Sequence, residues 1–379
     1  MNKVDCSLCS LFCYLLFRLF GAGRKDHLSE SIPMKQITDE LYLDDFHSRA
    51  FDLYFGDLKI LVFDIETTGL DPRRSSLILS GILEPEQGHF NAIQYFMENP
   101  REEEDLILRT LEKLREADCV LTYNGRRFDL PFLETRMKRL DIPGREDLLG
   151  LYNLDLYPII RNDSPLKEVL GSLRQKNIEY YMGVADSRYD EIDGGESVRL
   201  FLEYLDTHSP ALEQRILLHN HDDIIQLRRI LPVLLNCDLH RAMFRTGFPA
   251  AGLILTEIRV TKDSLHASAR TGRLGPLRDY IAFPTESLPV LVQASSVTST
   301  CEFEFPARRI GRSALVLDAS SLLGFPSDAA FTEQSDLASY PAFQSGYLVL
   351  KQGRAVNYLE INAFLIAFLK RIAPELAAE

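Results

Sequence analysis

Residues 61–70 read LVFDIETTGL. The stretch opens as a buried apolar strand, and two acids, Asp64 and Glu66, are set into its end. Successive strand side chains point to opposite faces, so carboxylates two positions apart point the same way. Like charges at the edge of a core repel each other, and burying them is costly. Two readings are open at this point. Either lysines or a helix N-terminus satisfy the pair, or it is half of a site for a divalent cation.

Working outward, the chain alternates between strand and helix patterns. LKILVFDIE, SSLILSGILEP (ended by Pro85) and HFNAIQYFME read as three strands. REEEDLILRTLEKLREA has helical periodicity, with acids in its first turn where the helix dipole favours them. DCVLTYNG returns to strand and stops at an Asn-Gly turn. DLPFLETRMKRL is a helix with proline near its start, and YNLDLYPII reads as a fifth strand. Helices then dominate through residue 236. This order predicts an α/β fold, a five-stranded sheet flanked by helices.

After residue 240 short β-like runs (AGLILTEIRV, SLPVLVQASSV, CEFEFPA, SALVLDAS, GYLVLKQGR) alternate with Gly, Pro and Ser, before NYLEINAFLIAFLKRI closes the chain as a helix. Asn357 and Glu360 have capping-box spacing. The expected organisation is an N-terminal extension over 1–39, an α/β domain over 40–236, and a small β-rich domain capped by a helix over 241–379.

The net charge of −13 argues against a polyanion binder working through a broad basic surface. Residues 34–240 hold 24 Lys and Arg against 39 Asp and Glu, so the surplus belongs to the part containing the opening motif. Six cysteines at 6, 9, 13, 119, 237 and 301 lack zinc-site spacing and read as reduced thiols of a cytoplasmic protein. The apolar run in SLCSLFCYLLFRLFGAG is too short to span a bilayer, and the expectation is a loose extension with the working chain starting near Met34.

Two further acidic features follow. In LTYNGRRFDLPF (121–132), Asp129 heads a helix just after the Asn124-Gly125 turn. N-capping would explain the acid, but not Phe128 and Phe132 around it or Arg126 and Arg127 before it. Aromatic rings stack on bases, and arginines hold phosphates. In RILLHNHDDIIQLRRI (215–230), Asp223 falls on the apolar helix face with Ile216, Leu227 and Ile230, whereas Asp222 groups with Arg215, Gln226 and Arg229 on the polar one. His219 sits one turn before Asp223, and His221 reads as a surface residue. A lone aspartate on a buried face needs a cation or donor. Asp155 has two open readings, support for the acids or a strand-end turn. In DEIDGGESV, Asp193 and Glu196 read as a capping box rather than a calcium loop. No glycine-rich phosphate loop with lysine is present.

Acids on three elements suit one chemistry: hard divalent cations take oxygen ligands, and two of them clamp an in-line phosphoryl displacement. In order, FDIETTGL, TYNGRRFDLPFL and HNHDDIIQL resemble the three motifs of the four-acid (DEDD) 3′–5′ exonucleases of the ribonuclease H-like superfamily, and within it the bacterial YprB-type domain. DEIDGGESVRLFLEYL and YLVLKQGRAVNYLEINAFL are similar to that group too. The resemblance runs over residues 40–235 and, more loosely, over the β-rich part. It implies a ribonuclease H-like mixed sheet, Asp64, Glu66, Asp129 and Asp223 as ligands of two Mg²⁺ or Mn²⁺ ions, and His219 as a catalytic candidate. It also implies that Thr67 and Leu70 touch the terminal nucleotide while Asn124 and Phe128 line the strand's path; position adds Arg126 and Arg127 as phosphate contacts. One departure stands out: the histidine occupies the four-residue spacing that the family gives to tyrosine. On a helix that is an offset of about 40°, against about 140° for the histidine spacing of five, so His219 either takes a proton from water or only orients it.

The expected activity is hydrolysis of single-stranded RNA or DNA from its 3′ end, with no membrane involvement. The rival is a catalytically weak nucleic-acid- or protein-binding module on the same fold, with a protein partner docking on the C-terminal domain.

Overall fold

The structure, a computed structural model, describes residues 34–378 apart from 191, 193, 287–288, 324–339 and 345. The expectations for residues 1–33, including three of the cysteines, and for Asp193 as a cap lie outside the described residues.

The first sheet has six strands: β1 (Lys35–Leu41), β2 (Ile60–Thr67), β3 (Leu77–Glu86), β4 (His89–Phe96), β5 (Cys119–Thr122) and β6 (Tyr152–Asp155). Their order is β1-β4-β3-β2-β5-β6. β2, β5 and β6 are mutually parallel and the remaining pairs antiparallel, so the sheet is mixed. The strand beyond the expected five is β1, which begins inside the segment assigned to an extension. It carries only Ile37 and Leu41 as apolar residues, so its signal is weak, yet it pairs with β4 along its whole length. Pro85 does not end β3. It lies past the last residue paired with β2, with β4 as its only neighbour, where a missing N–H is tolerated. YNLDLYPII is a strand only to Asp155, whose carboxylate accepts from Tyr157 N and starts a helix.

The helices that matter here are α1 (Arg49–Phe55), α2 (Glu103–Leu114), α3 (Asp129–Arg139), α4 (Leu156–Asp163), α5 (Gln175–Met182), α6 (Gly194–Thr207), α7 (Pro210–Arg229) and α8 (Leu239–Thr246). Strand alternation sorts the sheet into two faces. Leu61, Phe63 and Ile65 point toward Leu106, Leu133 and Phe201 of α2, α3 and α6. Val62, Leu121 and Leu154 point the other way, toward Phe55, Ile160 and Ile224 of α1, α4 and α7.

That second core runs on into the C-terminal part. There β7 (Leu253–Val260), β8 (Ser264–Thr271), β9 (Leu291–Ser295), β10 (Thr300–Ile310), β11 (Ala314–Asp318) and β12 (Tyr347–Gln352) are the longer strands of a ten-stranded antiparallel sheet. Helix α9 (Tyr358–Leu376) covers it, with Phe364 and Phe368 edge-on to Phe305 at 5.3 and 4.8 Å. The expected capping box does not form, because Asn357 turns its amide to the Val349 carbonyl (2.6 Å) and makes no cap bond. Tyr54 of α1 packs on Phe248 and receives the buried Asn362 amide of α9 at 2.9 Å, so both parts share one core. Among the described residues no helix is long and apolar enough to cross a membrane.

Candidate metal centre

Val62, Asp64 and Glu66 alternate onto the β2 face that α7 covers. Opposite Asp64, β3 carries Gly81. A Cβ there would sit 2.1 Å from Asn220 Oδ1, so the glycine lets α7 lie directly on the sheet. Asn220, fully buried, accepts from Gln94 Nε2 (2.9 Å) and donates to Asp64 Oδ2 (3.0 Å).

Asp129 enters from the other side. It is the buried first residue of α3, and its Oδ1 accepts the N–H of Ile65, the residue between the two strand acids (3.2 Å). The turn before it is fixed by Asp155, which accepts from Asn124 N (2.7 Å) and Arg126 N (3.1 Å), while Asn124 takes a left-handed φ of 68°. Asp155 thus serves the turn and the α4 cap together. A buried Arg136–Glu103 pair with two 2.7 Å bonds ties α3 to α2, and Glu103 also accepts from Leu77 N (2.8 Å).

His219 and Asp223 come from α7. His219 Nε2 lies 3.5 Å from Glu66 Oε1 and 3.7 Å from Asp223 Oδ2, so the shorter spacing still brings the imidazole to the acids. Glu66, His219 and Asp223 each offer a ligand atom within 4.8 Å of the others. Asp64 and Asp129 fall outside that group but within reach of its charge: Asp223 and Glu66 both act on Asp64, and Glu66 on Asp129.

The sequence reading missed what closes the site. Asp222 is buried, not on a solvent face: its carboxylate accepts the N–H groups of Tyr189 (2.5 Å) and Asp190 (2.7 Å). Gln226, also buried, donates to Ser187 (2.8 Å). The segment 187–190 covers that side of α7, which is why its polar residues face inward. Asp190 bonds His219 Nδ1, and Arg188 reaches Asp223 Oδ1 (2.5 Å), Asp190 (2.9 Å) and both oxygens of Glu179 (2.8 Å each). Nothing in the sequence signalled this cover, because Asp222 and Gln226 four apart read like any polar pair on a solvent-facing helix side. His221 is half-buried and lies 3.3 Å from Asp39 rather than in the open.

The electrostatics follow from burial. Desolvation pushes Asp64 well up, helped by the charges of Asp129, Asp223 and Glu66. Burial raises Glu66 and Asp129 to about 7, against His219 for the first and backbone N–H groups for the second. Asp223 is raised by burial despite His219 and Arg188. Burial works against charge on His219, but the Asp190 bond and the charges of Asp223 and Glu66 lift it to about 9. Asp190 is held at about 2 by His219 and Arg188, in spite of its burial. Carboxylates raised together are a set short of positive charge, and oxygen donors in that state suit a hard divalent cation such as Mg²⁺ or Mn²⁺. The donor set therefore fits the expected metal, with Arg188 as a resident cation on one oxygen of Asp223.

The expected nucleic-acid residues are spread around this centre. Thr67 is buried, with its hydroxyl on the Gly69 carbonyl (2.9 Å), while Leu70 is 84% exposed. Arg126 and Arg127 are exposed. Phe128 is half-buried against Phe132, ring centres 5.6 Å apart, and Phe132 itself is in the core, so only Phe128 offers a face.

A mixed sheet with carboxylates at the end of its central strand, flanked by helices and followed by a β-rich sheet, is a ribonuclease H-like fold with a C-terminal addition. Residues 61–235 match the family model of the RNase H superfamily. A DNA polymerase of Methanocaldococcus jannaschii is 27% identical over 159 residues, covering 35% of this chain but 9% of the polymerase. The family B DNA polymerase of the hyperthermophilic archaeon Pyrobaculum calidifontis aligns with 83% of this chain and 46% of its own at 16% identity and a TM-score of 0.38, a likeness too loose to support an argument.

Proposed function

We propose that this protein is a metal-dependent 3′–5′ exonuclease of the four-acid class, YprB-type, acting on single-stranded RNA or DNA in the cytoplasm. The observation that supports it is the approach of four carboxylates from one strand and two helices: Glu66 and Asp223, whose ligand atoms lie within 4.8 Å of each other and of His219, and Asp64 and Asp129, raised chiefly by burial beside them. These four would hold two ions. Bound there, the ions supply activation of water and neutralisation of charge at the leaving oxygen. His219, held by Asp190 through Nδ1, presents Nε2 toward Glu66 and Asp223, where it would orient the attacking water; with cations bound beside it, its hold on a proton would fall and let it accept one from that water. Thr67 and Leu70 position the terminal nucleotide, Asn124 and Phe128 line the strand, and Arg126 and Arg127 hold phosphates.

The second reading is a catalytically weak binding module. The Arg188 guanidinium on Asp223 favours it, since a fixed cation occupies an oxygen that a metal would use. A time course on 3′- and 5′-labelled RNA and DNA strands with Mg²⁺, Mn²⁺ or EDTA separates the two. The nuclease reading predicts mononucleotides released from the 3′ end only with metal, and none from Asp64→Asn; binding without cleavage in every condition supports the module instead.

A further inference from the structure

Beside the acidic centre lies a cleft of about 550 Å³ that the catalytic residues leave unused. It is lined by Tyr123, Asn124 and Arg127 from the turn before α3, Tyr157 from α4, and Arg174 and Gln175 from the start of α5. We infer that this cleft is a subsite for an upstream nucleotide of the bound strand, its base against the tyrosines and its phosphate against the two arginines; the inference rests on the nuclease reading above.

Three observations converge. First, the cleft is built onto the centre: Gln175 Nε2 donates to the Asp223 carbonyl (3.1 Å), and the turn that supplies Asn124 and Arg127 leads straight into Asp129. A strand whose end sits at the acids would pass here. Second, the two arginines are uncommitted. In a part of the chain rich in acids, the side chains of Arg127 and Arg174 are exposed and make no hydrogen bond or ion pair among the described residues. Arg174 precedes α5, but its side chain makes no cap bond, so the helix does not need it. Third, Tyr123 and Tyr157 meet edge to face with ring centres 6.0 Å apart, and Tyr123 is anchored by its hydroxyl on the Leu173 carbonyl (2.6 Å). Half-buried aromatic rings beside unpaired cations are the combination that single-stranded nucleic-acid sites use without base preference.

The test is fluorescence anisotropy of 5′-labelled oligonucleotides on the full chain in EDTA, with adenosine monophosphate as competitor, run beside the cleavage assay. Arg174→Ala and Tyr157→Ala are each expected to weaken an eight-nucleotide strand about tenfold. Arg174→Ala should also lower the log–log salt slope by about 0.7, and Arg174→Lys should restore it. Melting curves of both variants check that they remain folded. If wild-type protein binds and cleaves strands while both variants bind like wild type, the subsite is overturned and the nuclease reading stands. Adenosine monophosphate binding as tightly as the strand would also overturn it, because the cleft would then serve a free nucleotide. If wild-type protein neither binds nor cleaves, both ideas fall together.

Discussion

Asp190 sets what His219 can do. Its carboxylate bonds Nδ1, which leaves Nε2 facing Glu66 and Asp223. Partners of this kind typically contribute 10- to 100-fold, so Asp190→Ala should lower kcat by about that factor and move KM little. A kcat unchanged would remove His219 from the chemistry. The acids make a second prediction. Glu66 and Asp129 stand near 7 in the folded protein against ordinary values of 4.5 and 3.8, so the fold keeps protons that the unfolded chain has released. Stability from this source falls as pH rises through that window. His219, at about 9 against 6.5, contributes fully below 6.5 and loses its contribution as pH climbs through 9. The signs agree: in EDTA the thermal midpoint should fall from about pH 5 to about pH 9. Mn²⁺ replaces protons as counter-charge, so its increment in midpoint should be larger at about pH 8 than at about pH 5.5. A midpoint rising with pH in EDTA would contradict this. At this scale strand alternation put Asp64 and Glu66 on one face and helix periodicity put Asp223 on an apolar one, whereas Asp129 was legible only from its place after the Asn124-Gly125 turn and from the family resemblance. The sequence did not show Arg188 and Asp190, which lie in an irregular segment whose course depends on Asp222 and Gln226.

Among the elements, the contact of α7 with the central strands does most to form the centre. It depends on Gly81, whose missing side chain is the space Asn220 occupies. Gly81→Ala must displace the Asn220 amide, and overpacking of that kind costs about 1–3 kcal/mol. The same shift carries His219 and Asp223 away from Glu66, so activity should fall more than stability alone explains. Denaturant melts and kcat measured on one preparation check it; a Gly81→Ala variant with wild-type activity would show that α7 need not be seated so closely. The sequence identified α7 and β3 as elements, but periodicity alone does not say which residues of each will touch. It missed β1, an edge strand with two apolar residues, and extended the fifth strand through LYPII, where the Asp155 cap and Pro158 favour a helix.

Taken whole, one of the molecule's two cores runs from the ribonuclease H-like sheet into the β-rich sheet, while the other stays on the far face of the first sheet. Tyr152 donates to the Gly247 carbonyl (2.8 Å), Tyr54 packs on Phe248, and Asn362 bridges Tyr54 and the His240 carbonyl. Removing residues 241–379 uncovers this surface, so a chain of 34–240 should melt without a sharp transition in circular dichroism. A cooperative melt like that of the full chain would mean the first sheet folds without its neighbour. Alternation of β-like runs with turn residues made the second sheet legible, whereas the shared core was not, since burial between distant segments leaves no periodic mark.

The central claim is that four carboxylates from one strand and two helices hold divalent ions. Calorimetric titration of Mn²⁺ into the full chain at about pH 8 tests it most directly, with wild type compared to Asp64→Asn and Asp223→Asn. The account predicts two ions on the wild type and fewer on each variant. A wild-type protein that takes up no Mn²⁺, or variants that bind it unchanged, would contradict it.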